Sequence, residues 1–397
     1  MKAVILAAGE GKRLKPFTED RPKVMLPLAN KPILEHILEA LIKNGIHDII
    51  LVVGFKKESI LDYFGNGQKF GVKIEYVTQE RQVGTGHALL QAESYMDSDF
   101  LVLPGDNIID KASVAAIMQI KGYNALLIEN SHTPSKYGVV HTKNDTITDI
   151  IEKPVTSELN QVSTGIYRFN LSIFDFLKKA MKVGKNDITD AVQLILKNGK
   201  QIYFKKGKGG WMDVIYPWDI LDVNAKILQE TSQVTSGTIE KNVTIKGVVN
   251  IGEGTIIHSG SYLMGPVVIG NDCEIGPHSC IFPSSSIGNN VAVYPFTEIR
   301  QSVLMDGCTI GSHSLISYSV IGKDASIFPH VTTLLGKSVM KIDDRYIEKE
   351  NIGCFIGGFS QIGSHVVIDP GTLIGRSCEI APLRVIQRNL ASGSKVM

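Results

Sequence analysis

Between Ala7 and Lys23 the chain reads A-A-G-E-G-K-R-L-K-P-F-T-E-D-R-P-K, directly after the apolar run Lys2 to Leu6. Glycines at the end of a strand let backbone N–H groups approach a polyphosphate without interference from a Cβ. Arg13 and Lys23 add side-chain positive charge for the same anion. Two commoner phosphate motifs do not fit. A dinucleotide fingerprint needs a third glycine where this chain has Leu14, and a Walker A loop needs Gly-Lys-Ser/Thr. The chemistry expected here is a phosphate grip of another kind.

That grip has to be positioned by an α/β framework. Lys2 to Leu6, Asp48 to Val53, Val72 to Val77 and Phe100 to Leu103 read as strands, and Pro32 to Asn44 and Gly86 to Tyr95 as helices. Such alternation predicts a mostly parallel sheet with helices on both faces and ligands at the C-terminal strand ends. After a last helix around Pro217 to Glu230 the period changes. Ile-Gly steps fall at Ile251, Ile269, Ile275, Ile287, Ile310, Ile321, Ile356, Ile362 and Ile374, several of them separated by multiples of six. A hexapeptide period of this kind predicts a parallel β-helix, with aliphatic residues stacked inside and small residues at the corners. The period breaks between Ile287 and Ile321, which implies insertions or shifted corners, and the charged stretch Lys341 to Asn351 is expected to loop out. The domains divide accordingly into residues 1–230 and 231–397.

At 397 residues, two domains are the ordinary expectation. A hydrophobic share of 43% with 20% charged residues describes a globular chain. A formal net charge of +1 offers no electrostatic reason to expect nucleic acid or an anionic membrane as partner. No apolar run approaches the ~20 residues that cross a bilayer, and the apolar start is too short for a signal segment, so the expected location is cytoplasmic. The five cysteines, Cys273, Cys280, Cys308, Cys354 and Cys378, form no C-x-x-C pair and read as small core residues.

The extended string, Ala8-Gly9-Glu10-Gly11-Lys12-Arg13-Leu14-Lys15-Pro16-Phe17-Thr18 followed by Lys23-Val24-Met25-Leu26-Pro27, resembles the opening signature of the sugar-1-phosphate nucleotidylyltransferases. The resemblance continues through Gln79, Gly84 to Ala88, Gly105-Asp106, Tyr137-Gly138-Val139, Glu152-Lys153-Pro154, Thr164 to Tyr167 and Trp211-Met212-Asp213. It implies a Rossmann-like nucleotidyltransferase domain followed by a left-handed parallel β-helix, which associates into trimers. It also implies a Mg²⁺-dependent reaction in which a sugar 1-phosphate attacks the α-phosphorus of an NTP and pyrophosphate leaves. Arg13 would then hold the β- and γ-phosphates and Lys23 the bridging or sugar-phosphate oxygens. Asp106 and Asp213 would hold Mg²⁺ with hard oxygen ligands. Ala8, Gly9, Gly11, Gln79, Gly84 and Thr85 would bind the nucleotide, with Gln79 and Gly84 against the base. Gly138, Glu152, Lys153 and Thr164 would bind the sugar phosphate.

Two segments bear on the substrates. T-G-I-Y at Thr164 to Tyr167 resembles the glucose-1-phosphate thymidylyl- and uridylyltransferases, whereas V-G-T-G-H-A-L at Val83 to Leu89 is closer to the N-acetylglucosamine-1-phosphate uridylyltransferases. The preferred expectation is glucose 1-phosphate with UTP or dTTP. The alternative is a bifunctional enzyme making UDP-N-acetylglucosamine, whose β-helix acetylates glucosamine 1-phosphate from acetyl-CoA. His313 stands where the resemblance places the acetyltransfer base, but the Asn expected within Phe328 to Lys337 is missing.

Overall fold

A computed structural model describes residues 1–120, 122, 124–342 and 345–397. The chain forms two compact units. The first comprises Met1–Glu10, Pro22–Met25 and Ile33–Asp213; the second comprises Gly11–Arg21, Leu26–Pro32 and Val214–Met397.

In the first unit, strands β1 (Lys2–Ala7), β2 (Asp48–Val53), β3 (Lys73–Thr78) and β4 (Phe100–Pro104) pair in parallel, with β1 between β2 and β4. A two-residue strand β5 (Asn107–Ile108) follows β4. The sheet is then extended by β6 (Ala125–Asn130), β7 (Gly138–Lys143), β8 (Thr146–Glu152), β9 (Gln161–Phe169) and β10 (Tyr203–Lys206). The order across it is β3-β2-β1-β4-β9-β6-β10-β8-β7. The predicted parallel arrangement holds for β1 to β4. β9 runs antiparallel to both β4 and β6, so the whole sheet is mixed.

Both faces of the parallel part are covered, which explains the unbroken apolar runs in β1, β2 and β4, whereas the edge strand β3 carries Lys73 and Glu75. Successive side chains of β1 point to opposite faces. Ala3, Ile5 and Ala7 join one core with α1 (Ile33–Ile42) and α4 (Lys111–Met118). Val4 joins another with α3 (Thr85–Leu90), α5 (Ile173–Met181) and α6 (Ile188–Lys197). On α1 the buried Ile33, Leu34, Ile37, Leu38 and Leu41 form the stripe that a 3.6-residue period turns toward one face. The helix α2 (Glu58–Phe64) buries Ile60 and Phe64 in the first of these cores.

The second unit contains a three-sided parallel β-helix. Its short strands stack into three parallel sheets, and every Ile of the expected hexapeptide set is buried in one continuous core. Ile251, Ile269 and Ile287 lie over one another at eighteen-residue intervals. Ile287 then lies over Leu304, and Leu304 over Ile321, at intervals of seventeen. The broken period is therefore neither an insertion nor a lost coil. Single residues are missing from the steps Ile299 to Leu304 and Ile316 to Ile321, at the same corner of successive coils. The segment expected to leave the coil does so as an antiparallel hairpin of β12 (Gly336–Ile342) and β13 (Arg345–Ile352). Positions 343 and 344 lie outside the described residues.

The corners depart from the expectation of small residues. One corner places His278, Phe296, His313, His330 and His365 at φ between 55° and 63°. Their rings stack with centroids 4.5–5.4 Å apart. A left-handed backbone costs a residue with a Cβ about 1 kcal/mol or more, and ring stacking offsets part of that. Four of the five cysteines, Cys273, Cys308, Cys354 and Cys378, are core residues, whereas Cys280 is half-buried and lies outside that core. Burial pushes the Cys308 and Cys354 thiols up to about 12, far from a reactive thiolate.

The helix α7 (Asp219–Gln229) belongs to this unit and is fastened by Asn224, which is wholly buried. Its oxygen accepts from Ala29 N (2.8 Å) and the Ser286 hydroxyl, while its nitrogen donates to Ser284 O (3.1 Å).

Near the start of the β-helix, His258 is clasped between carboxylates from neighbouring coils. Its Nδ1 lies 3.0 Å from Glu240 and its Nε2 3.0 Å from Glu274. Burial alone would lower its pKa, but the two carboxylates outweigh burial and raise it above the ordinary 6.5. Such a histidine contributes its full stability below its unfolded pKa and loses it as pH rises through the folded one. His258→Gln should therefore lower the thermal midpoint clearly at about pH 6 and much less at about pH 9. Equal losses at both pH values, measured by circular dichroism, would show that the ring contributes through packing alone.

Candidate active site

The site is built where β1 and β4 end side by side. Gly105 follows β4 so closely against β1 that a Cβ there would meet Leu6 O at 2.8 Å, and its N–H donates to the same carbonyl (2.9 Å). That approach brings Asp106 to the strand end. Asp213 arrives by another route. The two-residue strand β11 (Met212–Asp213) pairs antiparallel with β5, which sets Asp213 opposite Asn107.

Between these carboxylates lies the ammonium of Lys23, in a short 3₁₀ turn (Lys23–Met25) closed by Met25 N donating to Pro22 O (2.9 Å). Lys23 Nζ donates to Asp106 Oδ2 at 2.7 Å and to Asp213 Oδ1 at 2.9 Å. The lysine is only 8% exposed. Burial by itself would depress its pKa. The charges of Asp106 and Asp213, with their hydrogen bonds, outweigh burial and hold it above the ordinary lysine value, so the group stays protonated.

Asn107 completes the cluster, and sequence reasoning did not single it out. Its amide orientation is assigned by its neighbours. With the oxygen accepting from Trp211 Nε1 (2.7 Å), the nitrogen reaches Asp106 Oδ1 (3.0 Å) and Asp213 Oδ1 (3.2 Å). Trp211 in turn packs edge-on against Tyr137, with centroids 5.1 Å apart. The available signal was its position next to Asp106 and the Trp two residues before Asp213.

The remaining sequence-derived residues fall into three groups. Around the glycine-rich segment, Ala8 O accepts from Phe55 N (3.2 Å), and a Cβ on Gly9 would meet nothing within 4 Å, so that face of the backbone is open. Gly11, at φ 73°, starts the 3₁₀ turn Lys12–Leu14 that carries Arg13. Thr18 Oγ donates back to Gly11 O (2.9 Å), and within the same unit Ser392 Oγ donates to the Glu19 carboxylate (2.9 Å).

The second group surrounds Gln79, which is 4% exposed. Its Nε2 donates to Gly84 O (3.1 Å) and lies 3.0 Å from His87 Nδ1. A carbonyl only accepts, so the amide nitrogen must face Gly84 and the amide oxygen is left to accept. Gly84 sits at φ 151°, and a Cβ there would lie 2.5 Å from Asn186 O, so no other residue fits. Thr85 commits both its N–H and its hydroxyl to Asp187, each at 3.0 Å, which ties the start of α3 to the start of α6.

The third group lies on the hairpin β7–β8, where Glu152 pairs opposite Gly138. A Cβ on Gly138 would stand 3.2 Å from Glu152 Oε2. Lys153, at φ 43°, pairs with Glu152 at 3.2 Å, and both side chains are substantially open. Thr164 is different. Its hydroxyl turns inward and donates to Leu127 O (2.7 Å), and the residue is buried.

Two carboxylates whose oxygens already converge on one cationic atom are suited to a hard divalent ion. Among the described residues no group of three or more His, Cys, Asp or Glu is placed to hold a metal alone. Mg²⁺ commonly takes one or two carboxylates and completes its shell with substrate phosphates and water. The pair fits that pattern.

A lysine between two aspartates, with an open glycine turn beside a mixed α/β sheet, is an arrangement suited to phosphate chemistry. The chain belongs to the nucleotidyl transferase family, whose model matches residues 2–230, and a GMPPB C-terminal domain model matches residues 263–354. It is a sugar-1-phosphate nucleotidylyltransferase. It is 35% identical to the bifunctional protein GlmU of Methanococcus maripaludis strain S2, over 100% of this chain and 97% of that one. It is 34% identical to a bifunctional sugar-1-phosphate nucleotidylyltransferase/acetyltransferase of Sulfurisphaera tokodaii, over 99% of both chains. Among solved structures, a putative glucose-1-phosphate thymidylyltransferase from Bacillus anthracis, in complex with a sucrose, aligns with a TM-score of 0.54 and 28% identity. That match covers 59% of this chain and 97% of the other. No helix among the described residues is long and apolar enough to cross a membrane.

If Asn107 orients both aspartates, Asn107→Leu should reduce kcat/KM for pyrophosphate release about 10- to 100-fold. Activity within about twofold of wild type would remove that role.

Proposed function

We propose that this protein transfers a uridylyl group from UTP to N-acetylglucosamine 1-phosphate, and that its β-helix acetylates glucosamine 1-phosphate to supply that sugar. The observation that carries this reading is similarity that runs end to end with archaeal chains named as bifunctional, rather than stopping at the nucleotidyl transferase domain. It displaces the preference for glucose 1-phosphate drawn from Thr164 to Tyr167. The buried commitment of the Thr164 hydroxyl also weakens that segment as a determinant of the sugar.

In the first reaction a sugar-phosphate oxygen forms a bond to the α-phosphorus while the bond to the β-phosphate oxygen breaks, releasing pyrophosphate. No covalent enzyme intermediate is needed, so catalysis rests on positioning and charge. Arg13 holds the β- and γ-phosphates, and Lys23 neutralises the bridging or sugar-phosphate oxygens. The Gln79 oxygen, its amide nitrogen already committed, accepts from the N3–H of uracil. Thymine presents the same donor, whereas cytosine presents an acceptor there and is rejected. Gly138 gives the sugar room beside Glu152, and Lys153 pairs with its phosphate. Mg²⁺ held by Asp106 and Asp213 would supply charge neutralisation at the phosphates. The β-helix is expected to assemble the chain into trimers.

Pyrophosphate release, measured for UTP, dTTP, CTP and GTP with each candidate sugar phosphate, tests the first half. UTP with N-acetylglucosamine 1-phosphate should be the best pair, and Lys23→Ala or Asp106→Asn should lower its kcat by at least about 10²-fold. Turnover confined to glucose 1-phosphate, or independent of Lys23 and Asp106, would overturn it.

In the second reaction the sugar amine attacks the thioester carbonyl, the thiol of coenzyme A leaves, and a base takes the amine proton. His313 is the candidate. Its ring is stacked between those of Phe296 and His330, which fixes its plane and leaves a ring edge to act. Thiol release with acetyl-CoA and glucosamine 1-phosphate should be present in the wild type and fall at least about 10²-fold in His313→Ala. Absence of thiol release, or release unaffected by the substitution, would confine the protein to nucleotidyl transfer.

A further inference from the structure

Lys23 has a second position to explain. A lysine serving substrate phosphates would be expected to point toward open space, yet its ammonium lies within 2.7 and 2.9 Å of the oxygens of Asp106 and Asp213. They are two of the four carboxylate oxygens open to a divalent ion at this site. A metal at ~2.1 Å from oxygens of both carboxylates would lie close to the ammonium between them, and a monovalent and a divalent cation so close together repel strongly. Charge balance points the same way. A divalent ion arriving between the two carboxylates takes over the ammonium's role of offsetting their charge, so the ammonium is then released to face an anion. The side chain is built for that exchange, being a point charge on a flexible four-carbon stem anchored in a short turn.

We propose that Lys23 is a displaceable occupant of the cation site: in the nucleotide-free enzyme its ammonium holds Asp106 and Asp213 together, and it leaves for the incoming phosphates. The divalent ion and the nucleotide therefore enter together, and the ion does not load first. The site stays closed to free divalent ions, and the lysine's charge reaches the phosphates only when substrate is present. Asn107, which donates to an oxygen of each aspartate, keeps the pair in place through the exchange. This inference rests on the proposed assignment of Asp106 and Asp213 as metal ligands.

The test is Mn²⁺ binding, followed by electron paramagnetic resonance on the full-length, nucleotide-free protein. Wild type should bind Mn²⁺ weakly, whereas Lys23→Met and Lys23→Gln should each gain a site at least about tenfold tighter. That site should vanish when Asp106→Asn is added. Addition of a non-hydrolysable UTP analogue should give the wild type a site that also depends on Asp106. Tight Mn²⁺ binding by nucleotide-free wild type overturns the displacement while leaving the ligands intact. Failure of every protein to bind Mn²⁺, with or without the analogue, overturns the ligand assignment itself. Should neither Lys23 variant fold, the wild-type titrations decide. Binding as tight without the analogue as with it counts against the proposal, and Asp106-dependent binding only with the analogue counts for it.

Discussion

The bond from one lysine to two aspartates organises the catalytic unit. Asp106 and Asp213 are like charges brought close together, and such a pair is unstable unless a cation lies between them. Lys23 provides it, at 2.7 and 2.9 Å. Each partner reaches the cluster by a different backbone device. Gly105 lets β4 end hard against β1, a two-residue ladder turns Asp213 back toward Asn107, and a short 3₁₀ turn presents Lys23. Removing one member of a fully buried cluster costs about 3–5 kcal/mol, because the partners left behind keep their charge; here the cost is smaller, since the Asp106 side chain is 38% exposed. The same interaction that assembles the site thus contributes to the fold of the unit.

The β-helix obeys a different constraint. Inward side chains, aliphatic apart from such positions as Thr333 between Ile316 and Ile368, must lie over those below, so the core tolerates single-residue deletions only where they leave that stacking intact. The five-residue steps from Ile299 to Leu304 and from Ile316 to Ile321 meet this condition by falling at one corner. The hairpin β12–β13 meets it by leaving the coil and returning before Phe355, which pairs with Val320. Corners are also where side chains as large as histidine and phenylalanine stand. The left-handed backbone there points them outward, and the coil spacing stacks their rings. A repeat that sets the spacing of its core also sets the spacing of its surface, which is how His313 acquires two ring neighbours.

Local patterns were legible where the physics is local. The apolar runs of β1 and β2, the amphipathic stripe of α1 and the hexapeptide period all follow from residue type and interval. The Gly84-Thr85-Gly86 string was recognisable too, although its reason was not. Both glycines exist because the backbone at Asn186 passes within a Cβ's reach. The antiparallel placement of β9 between β4 and β6 was not legible, since pairing partners of strands far apart in sequence leave no local trace.

By itself the sequence determined that a glycine-rich turn with Arg13 and Lys23 follows a buried strand, that two halves of different period share the chain, and that the second half coils. These depend on interactions between residues close in sequence or on a repeat that can be counted. Only the tertiary structure decided which polar atoms are free and which are committed. It turned the Thr164 hydroxyl inward, committed the Thr85 hydroxyl to Asp187, left the Gln79 oxygen as an acceptor, and brought Asn107 and Trp211 to the aspartates. It also closed Lys23 on Asp106 and Asp213. Hydrogen bonds and ion pairs depend on separations of about 3 Å between atoms, and for residues this far apart along the chain those separations exist only after the sheet and its crossovers have formed.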